Sequence, residues 1–473
     1  MKVQSTFPRG IYQNNRSIAI KAQYYFVSVL VAASLITGCS KSGVEQKAKD
    51  GESQTEAAQT AQTDNMEDIT KGPMTAPVID KNFKLAKMSN DGDMAAPVAG
   101  FGQKSEQEIM QEKPRKPSIA VIGPLNGELD IYGIETSNGA EMASDAVDAM
   151  GGINGQEFEL LVIDTKGEII QARMAFEAAV SREVLAIVGA ATSEVSFSST
   201  KLINDNQVIM VSAGSRRRLG DSGPYNFRIT LNEKSAVRSL IDYIKTSKKW
   251  KKVAIFSTVA NDYSIQLSAA FKIEALEQEM DITHEIHLWP TTMTHLAEGD
   301  SSIPDQIAKL KSNMPDALFF SGEGAEANEI VKEMRKQGVK IPLIGSEDLM
   351  VPEYLALGEE INGTVTYGGF NPHSEKYNVK KFVKEYTDRF GHEPTRMAAL
   401  SFDAYNLLYE AIKKSPSLRP SHVRNALVAI KNYNGVTGRI TFDETGEAIK
   451  EPFIFEVQKK NKGFEFVGVR EPS

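Results

Sequence analysis

Ser118-Ile119-Ala120-Val121-Ile122-Gly123-Pro124 decides the fold. The run is apolar, lacks the polar alternation of a half-exposed strand, and ends in Gly-Pro. It reads as a short strand buried on both faces of a parallel sheet. Ala140, Ala143, Val147 and Met150 follow at helical spacing. Gly151-Gly152-Ile153-Asn154-Gly155 then stops the helix and turns the chain, because glycine and asparagine tolerate the left-handed conformation. Leu160-Leu161-Val162-Ile163-Asp164 is the next strand.

The alternation continues downstream. A helix is expected over 171–182, a strand over 185–189, a helix over 196–206 and a strand over 208–211. After Asn232 it starts again, with strands at 253–256, 317–320, 343–345 and 364–367 and helices at 263–279 and 325–337. The tail reads as helices at 380–390, 397–415 and 421–429, then short strands at 438–442, 453–457 and 464–469. Alternating strands and helices imply open parallel α/β sheets. So much α/β pattern exceeds one core and suits two domains. The two similar halves are the only internal echo.

Upstream, the composition separates two further segments. Residues 24–36 are apolar and follow Lys2, Arg9, Arg16 and Lys21. A basic segment, an apolar segment and small residues make a secretory signal over 1–38. Cys39 closes Leu35-Ile36-Thr37-Gly38-Cys39 and is the only cysteine. The arrangement resembles the lipobox of bacterial lipoproteins, in which this cysteine is diacylated. The alternative is a weak anchor followed by a free thiol, against which the apolar run falls short of the ~20 residues a span needs. Residues 39–116 are rich in Glu, Gln, Lys, Ser, Thr, Ala, Met and Pro, and read as a disordered tether with a reach of roughly 50 Å. With one cysteine, no disulfide supports the body. A net charge of −8 over 473 residues argues against a nucleic-acid partner.

From Ser118 onward the motifs resemble type I periplasmic binding proteins, in the branched-chain amino-acid (Leu/Ile/Val) receptor branch. The resemblance rests on Ile119 to Pro124, Gly139-Ala140, Gly151 to Gly155, Ala399-Leu400-Ser401-Phe402-Asp403-Ala404-Tyr405 and Gly435-Val436-Thr437-Gly438-Arg439-Ile440-Thr441-Phe442-Asp443. It implies two doubly wound parallel-sheet lobes joined by three crossovers, with a ligand in the cleft between them. Crossovers are then expected near 230–232, 369–372 and 434–438. Lobe 1 would comprise 117–231 plus 371–434, and lobe 2 would comprise 232–370 plus 435–473.

The same resemblance implies site residues. Ser193, at a helix N-terminus, and Ser215, in the next strand loop, would bind a ligand carboxylate. Without a one-residue gap the second position is Arg216, and both alternatives stand. Glu347 would meet an ammonium group, Tyr263 would close over the ligand and Tyr132 would line the lobe 1 side. Glu323 stands where relatives often carry an aromatic, which points to a more cationic or polar ligand than leucine, unless it faces solvent.

No enzyme is implied. The six histidines are scattered, and His284 and His287, three apart on a strand, would point to opposite faces. No metal or cofactor is expected. The Gly151-Gly152 turn lacks the lysine and Ser/Thr of a phosphate loop. Two functions follow. One is a lipid-anchored solute-binding protein for an ABC permease, taking an amino acid or a related small polar ligand. The other is a regulatory or scaffold lipoprotein of the cell envelope that reuses the fold for a protein partner. Ser40, after the lipidated cysteine, would permit outer-membrane sorting.

Overall fold

The computed structural model describes residues 78–80, 116–127, 129–259, 262–288, 303–461 and 463–472. The signal segment and Cys39 lie outside the described residues. So does the segment read as a tether, apart from the strand β1 (Val78–Asp80) and the body's first described residue, Lys116. Among the described residues, no helix is long and apolar enough to cross a membrane.

The first half contains β2 (Ser118–Gly123), α1 (Asp130–Ala149), β3 (Glu159–Asp164), α2 (Ile169–Ser181), β4 (Ala186–Gly189), α3 (Ser193–Asp205), β5 (Ile209–Ser212) and β6 (Asn226–Arg228). The sheet order is β1-β3-β2-β4-β5-β6, parallel throughout except for β1. Every residue of β2 is buried, as its unbroken apolar run requires.

The second half begins with α4 (Glu233–Tyr243), which the sequence reading did not place. Its signal is ordinary. Asn232 caps it, accepting from the N–H groups of Lys234 at 3.1 Å and Ser235 at 3.4 Å, and Ala236, Val237, Leu240 and Ile241 are buried at helical spacing. Then come β7 (Lys252–Thr258), α5 (Asp262–Glu277), β8 (Asp281–Leu288), α6 (Ile303–Leu310), β9 (Ala317–Phe320), α7 (Gly324–Lys336), β10 (Leu343–Gly345) and β11 (Val365–Gly368).

The chain returns as α8 (Tyr377–Phe390), α9 (Arg396–Lys414) and α10 (Pro420–Ala429), makes a small sheet of β12 (Tyr433–Gly435), β13 (Gly438–Phe442) and β14 (Ala448–Ile449), and ends in β15 (Phe453–Lys460) and β16 (Gly463–Arg470). The second sheet runs β16-β15-β11-β10-β9-β7-β8, with β15 antiparallel to β11 and to β16 and the other pairings parallel. In both sheets the first strand of the half lies between the second and the third. The halves therefore share one topology, and in each a switch point opens a crevice at the carboxyl ends of the strands.

Two of the motifs behind the family resemblance have visible causes. A Cβ at Gly139 would lie 2.1 Å from the Ala398 carbonyl oxygen, so only glycine lets α1 and α9 approach this closely. The Asp403 carboxylate accepts from the N–H groups of Val436 at 2.9 Å and Thr437 at 2.8 Å, and from the Thr437 hydroxyl at 2.6 Å. It thereby pins α9 to the turn before β13. The resemblance placed 435–473 in lobe 2, but Ile440, Phe442 and Ala448 pack into the first half's core with Phe227 and Leu408. Their apolar faces are covered there, so we place the last passage between halves at 450–452.

A buried ion pair closes this region. The Arg228 Nε donates to Glu447 Oε2 at 2.7 Å, and both side chains are only 1% exposed. Arg228 Nη1 donates to Thr230 Oγ1 at 2.8 Å and to the carbonyls of Leu231 at 3.0 Å and Arg216 at 3.2 Å. Glu447 Oε1 accepts from the N–H groups of Leu219 at 2.7 Å and Gly220 at 2.9 Å. Removing one partner strands a buried charge, so Arg228→Met should cost about 3–5 kcal/mol in urea unfolding. Adding Glu447→Gln, which removes the charge but keeps an acceptor, should recover much of that loss. Equal losses in the single and double variants would contradict the pairing.

Candidate functional site

A cavity of about 800 Å³ lies between the halves, where the carboxyl ends of both sheets face each other. Tyr132, from the start of α1, Arg216, from the loop after β5, and Arg396, at the start of α9, line it from the first half. Tyr263, at the start of α5, Glu323, just before α7, and Glu347 and Asp348, just after β10, line it from the second.

Two ion pairs span this cavity. The Arg216 guanidinium pairs with Asp348, and Arg396 pairs with Glu347. Their side chains keep between 12% and 26% exposure, so water screens them less than surface pairs. The Arg216 guanidinium carbon also lies 5.1 Å from the Tyr263 ring centroid, a cation–π contact. Glu347 Oε2 accepts from the Gly369 N–H at 3.0 Å, which ties the acid to the second crossover.

A second layer holds these groups. The Tyr263 hydroxyl donates to Glu233 Oε1 at 2.7 Å, and the Tyr367 hydroxyl donates to the same carboxylate. Burial pushes the Glu233 carboxyl above its ordinary range, although both hydroxyls pull the other way. Burial and the neighbouring Glu233 push the Tyr263 hydroxyl far up, so it remains a donor. Burial also pushes Asp348 up, but Arg216's charge and hydrogen bond, with Ser346 and Arg396, outweigh it and hold the carboxyl below its usual range.

The structure brings Tyr132, Arg216, Tyr263, Glu323 and Glu347 to one cavity, and Ser193 and Ser215 are not among its lining residues. Ser193 is the first residue of α3, and Thr192 is the N-cap. The Ser193 hydroxyl accepts from the N–H groups of Arg216 at 3.0 Å and Arg217 at 3.3 Å. Ser215 is fully buried and its hydroxyl donates to the Arg217 carbonyl at 2.7 Å. The two serines therefore build the loop that presents Arg216. Of the two alternatives, Arg216 faces the cavity. Glu323 is exposed at the mouth, and its N–H donates to Glu326 Oε2 at 3.3 Å.

Asp348, Arg396 and Glu233 were not picked out from the sequence. Asp348 adjoins Glu347, and its adjacency was the available signal. Arg396 is distant in sequence, and nothing local marks it. Among the described residues, no group of His, Cys, Asp and Glu is arranged to hold a metal ion.

The depressed Asp348 carboxyl fixes a pH dependence. A group whose folded pKa lies below its unfolded value, ~3.9, contributes stability that is fully present above that value and lost as pH falls through the folded one. Asp348→Asn should therefore lower stability by roughly 1–2 kcal/mol above about pH 5, between exposed and buried pairs, and the deficit should vanish in stronger acid. Thermal melts of both proteins from pH 7 to pH 2 check this. A deficit independent of pH would contradict it.

The periplasmic binding protein family matches residues 116–462. A Leu/Ile/Val-binding protein homolog from Brucella melitensis biotype 1 is 27% identical over 343 residues, covering 71% of this chain and 89% of that protein. The leucine-binding protein LivK of Thermotoga maritima is 26% identical with a TM-score of 0.60, covering 74% of this chain and 98% of that one. LivJ of Streptococcus pneumoniae, solved with isoleucine, is 24% identical with a TM-score of 0.60, covering 75% of this chain and 100% of that one. The chain belongs to the periplasmic binding protein family, as a type I member of the branched-chain amino-acid receptor branch.

Proposed function

We propose that this chain is a solute-binding protein that captures an amino-acid-like zwitterion between its halves and delivers it to an ABC importer. The observation that carries this reading is the division of charge across the cavity, with guanidinium groups on one wall and carboxylates on the other. A zwitterion placed between them sets its carboxylate against an arginine and its ammonium against an acid. Arginine suits the carboxylate because its planar fork binds both oxygens. Each end of the solute touches a different half, so binding favours the closed arrangement by its differential affinity for it. The named relatives, Leu/Ile/Val-binding proteins, support the amino-acid class and a periplasmic setting.

Ser193 and Ser215 enter this reading as supports of the Arg216 loop. Tyr132, Tyr263 and Glu323 shape the walls and mouth. Cys39 is the proposed site of lipidation.

A panel of amino acids added at millimolar concentration should contain at least one that raises the melting temperature. At a hundredfold excess over Kd it should add about 2.7 kcal/mol of stability. For that ligand, Arg216→Gln and Glu347→Gln should each weaken binding roughly ten- to a hundredfold, about 1.4–2.8 kcal/mol. A folded protein that no small molecule stabilises would give the lead to the regulatory or scaffold reading. Separately, Cys39→Ala should move the protein from the membrane to the soluble periplasmic fraction, and unchanged membrane retention would contradict the anchor.

A further inference from the structure

The two ion pairs narrow the ligand class further than a general amino acid. We infer that the cleft takes a diamino dicarboxylic acid, a net-neutral solute with an α-amino-acid head at each end, one head set into each arginine–acid pair. This rests on the proposed solute-binding role and concerns the same site.

The argument starts from wall separation. Arg216 meets Asp348 directly, and Arg396 meets Glu347 directly. A zwitterionic head inserted into one pair replaces one direct contact by two in series, which pushes the walls apart by several ångströms at that point. Glu347 and Asp348 are adjacent residues of one short helical turn, Glu347–Leu349. The turn is held by the Ser346 side chain, which accepts from the Asp348 N–H at 3.2 Å, and by Gly369 on Glu347. Both acids sit on this one short turn, so displacing the turn to open one pair opens its neighbour as well. A single-headed ligand would part both pairs and leave one arginine and one acid facing each other across a gap. Such under-compensated charge in a partly buried site is costly.

Charge bookkeeping excludes the simpler variants. A basic amino acid brings one carboxylate for two guanidiniums. An acidic one brings one ammonium for two carboxylates. A head on each pair satisfies all four groups and leaves the net charge of the walls unchanged. The hydroxyls of Ser193 and Ser215 do not take the place of a second arginine, because neither serine is among the residues that line the cavity. Met350, Val351 and Phe370 also line the cavity, an apolar stretch suited to the methylenes that join two heads. The volume of about 800 Å³ lies in the upper part of the usual range for ligand sites and exceeds what one small amino acid fills.

Calorimetric titration of the full chain in detergent tests this. The probes are 2,5-diaminohexanedioic, 2,6-diaminoheptanedioic and 2,7-diaminooctanedioic acids, compared with leucine, lysine and glutamate. At least one two-headed acid should bind ten times more tightly than each of the three single amino acids. Arg396→Gln should erase that advantage, weakening the best two-headed acid tenfold or more and bringing it level with the best single amino acid. Should this variant not fold, the wild-type ranking stands by itself as the test. A single amino acid that binds as tightly as the two-headed series overturns the inference and leaves the solute-binding role intact. Binding of none of the six overturns the inference, and the solute-binding role is then decided by the wider amino-acid panel.

Discussion

The cleft depends on one buried ion pair that does not itself line it. Two charges taken wholly out of water are tolerated only when nearly every donor and acceptor on them is used. Arg228 and Glu447 meet that demand by recruiting backbone. The guanidinium takes carbonyls from the Arg216 loop and from the first crossover, while the carboxylate takes N–H groups from the same loop. The β5–β6 loop is therefore held from both sides by charges that cannot be left unpaired. Its backbone carbonyl at Arg216 turns inward, and the Arg216 side chain reaches the cavity.

That constraint reassigns the hydroxyls near the site. Ser193 and Ser215 are not among the residues that line the cavity. Here their oxygens stabilise the backbone of a loop that carries three consecutive arginines. The guanidinium groups on this wall, Arg216 and Arg396, face the carboxylates of Asp348 and Glu347 opposite. Glu233 adds a further layer by holding Tyr263 and Tyr367, so the aromatic under the Arg216 guanidinium is itself fixed. Rigid support of this kind matters because partly buried charges gain most when their geometry is set before a ligand arrives.

The fold was largely legible in the sequence because buried parallel strands leave short, unbroken apolar runs. The run at 118–123 and the strands at 317–320 and 343–345 appear in the structure at those residues. The helix at 233–243 was passed over although Asn232 and its apolar spacing marked it. The site was legible only in part. Tyr132, Arg216, Tyr263, Glu323 and Glu347 follow the strand–helix connections of the fold, and topology gathers such connections at the switch points. Arg396 and Asp348 are decided by partners across the cavity, which local pattern does not encode. The Arg228–Glu447 pair joins residues far apart in sequence, and the small sheet that carries Glu447 packs in the first half because Ile440 and Phe442 find their apolar cover there.

The central claim is that the charged walls close on a zwitterionic solute. The most direct measurement is the distance between spin labels at Ile170→Cys and Ile273→Cys, both on exposed helix positions of opposite halves. Pulsed electron resonance on this protein, with and without a ligand shown by calorimetry to saturate it, reads the closure. We predict a broad or two-component distribution without ligand that collapses to one component with it, and no collapse when Arg216→Gln is added at the same ligand concentration. A single distance, identical with and without saturating ligand, would contradict the account.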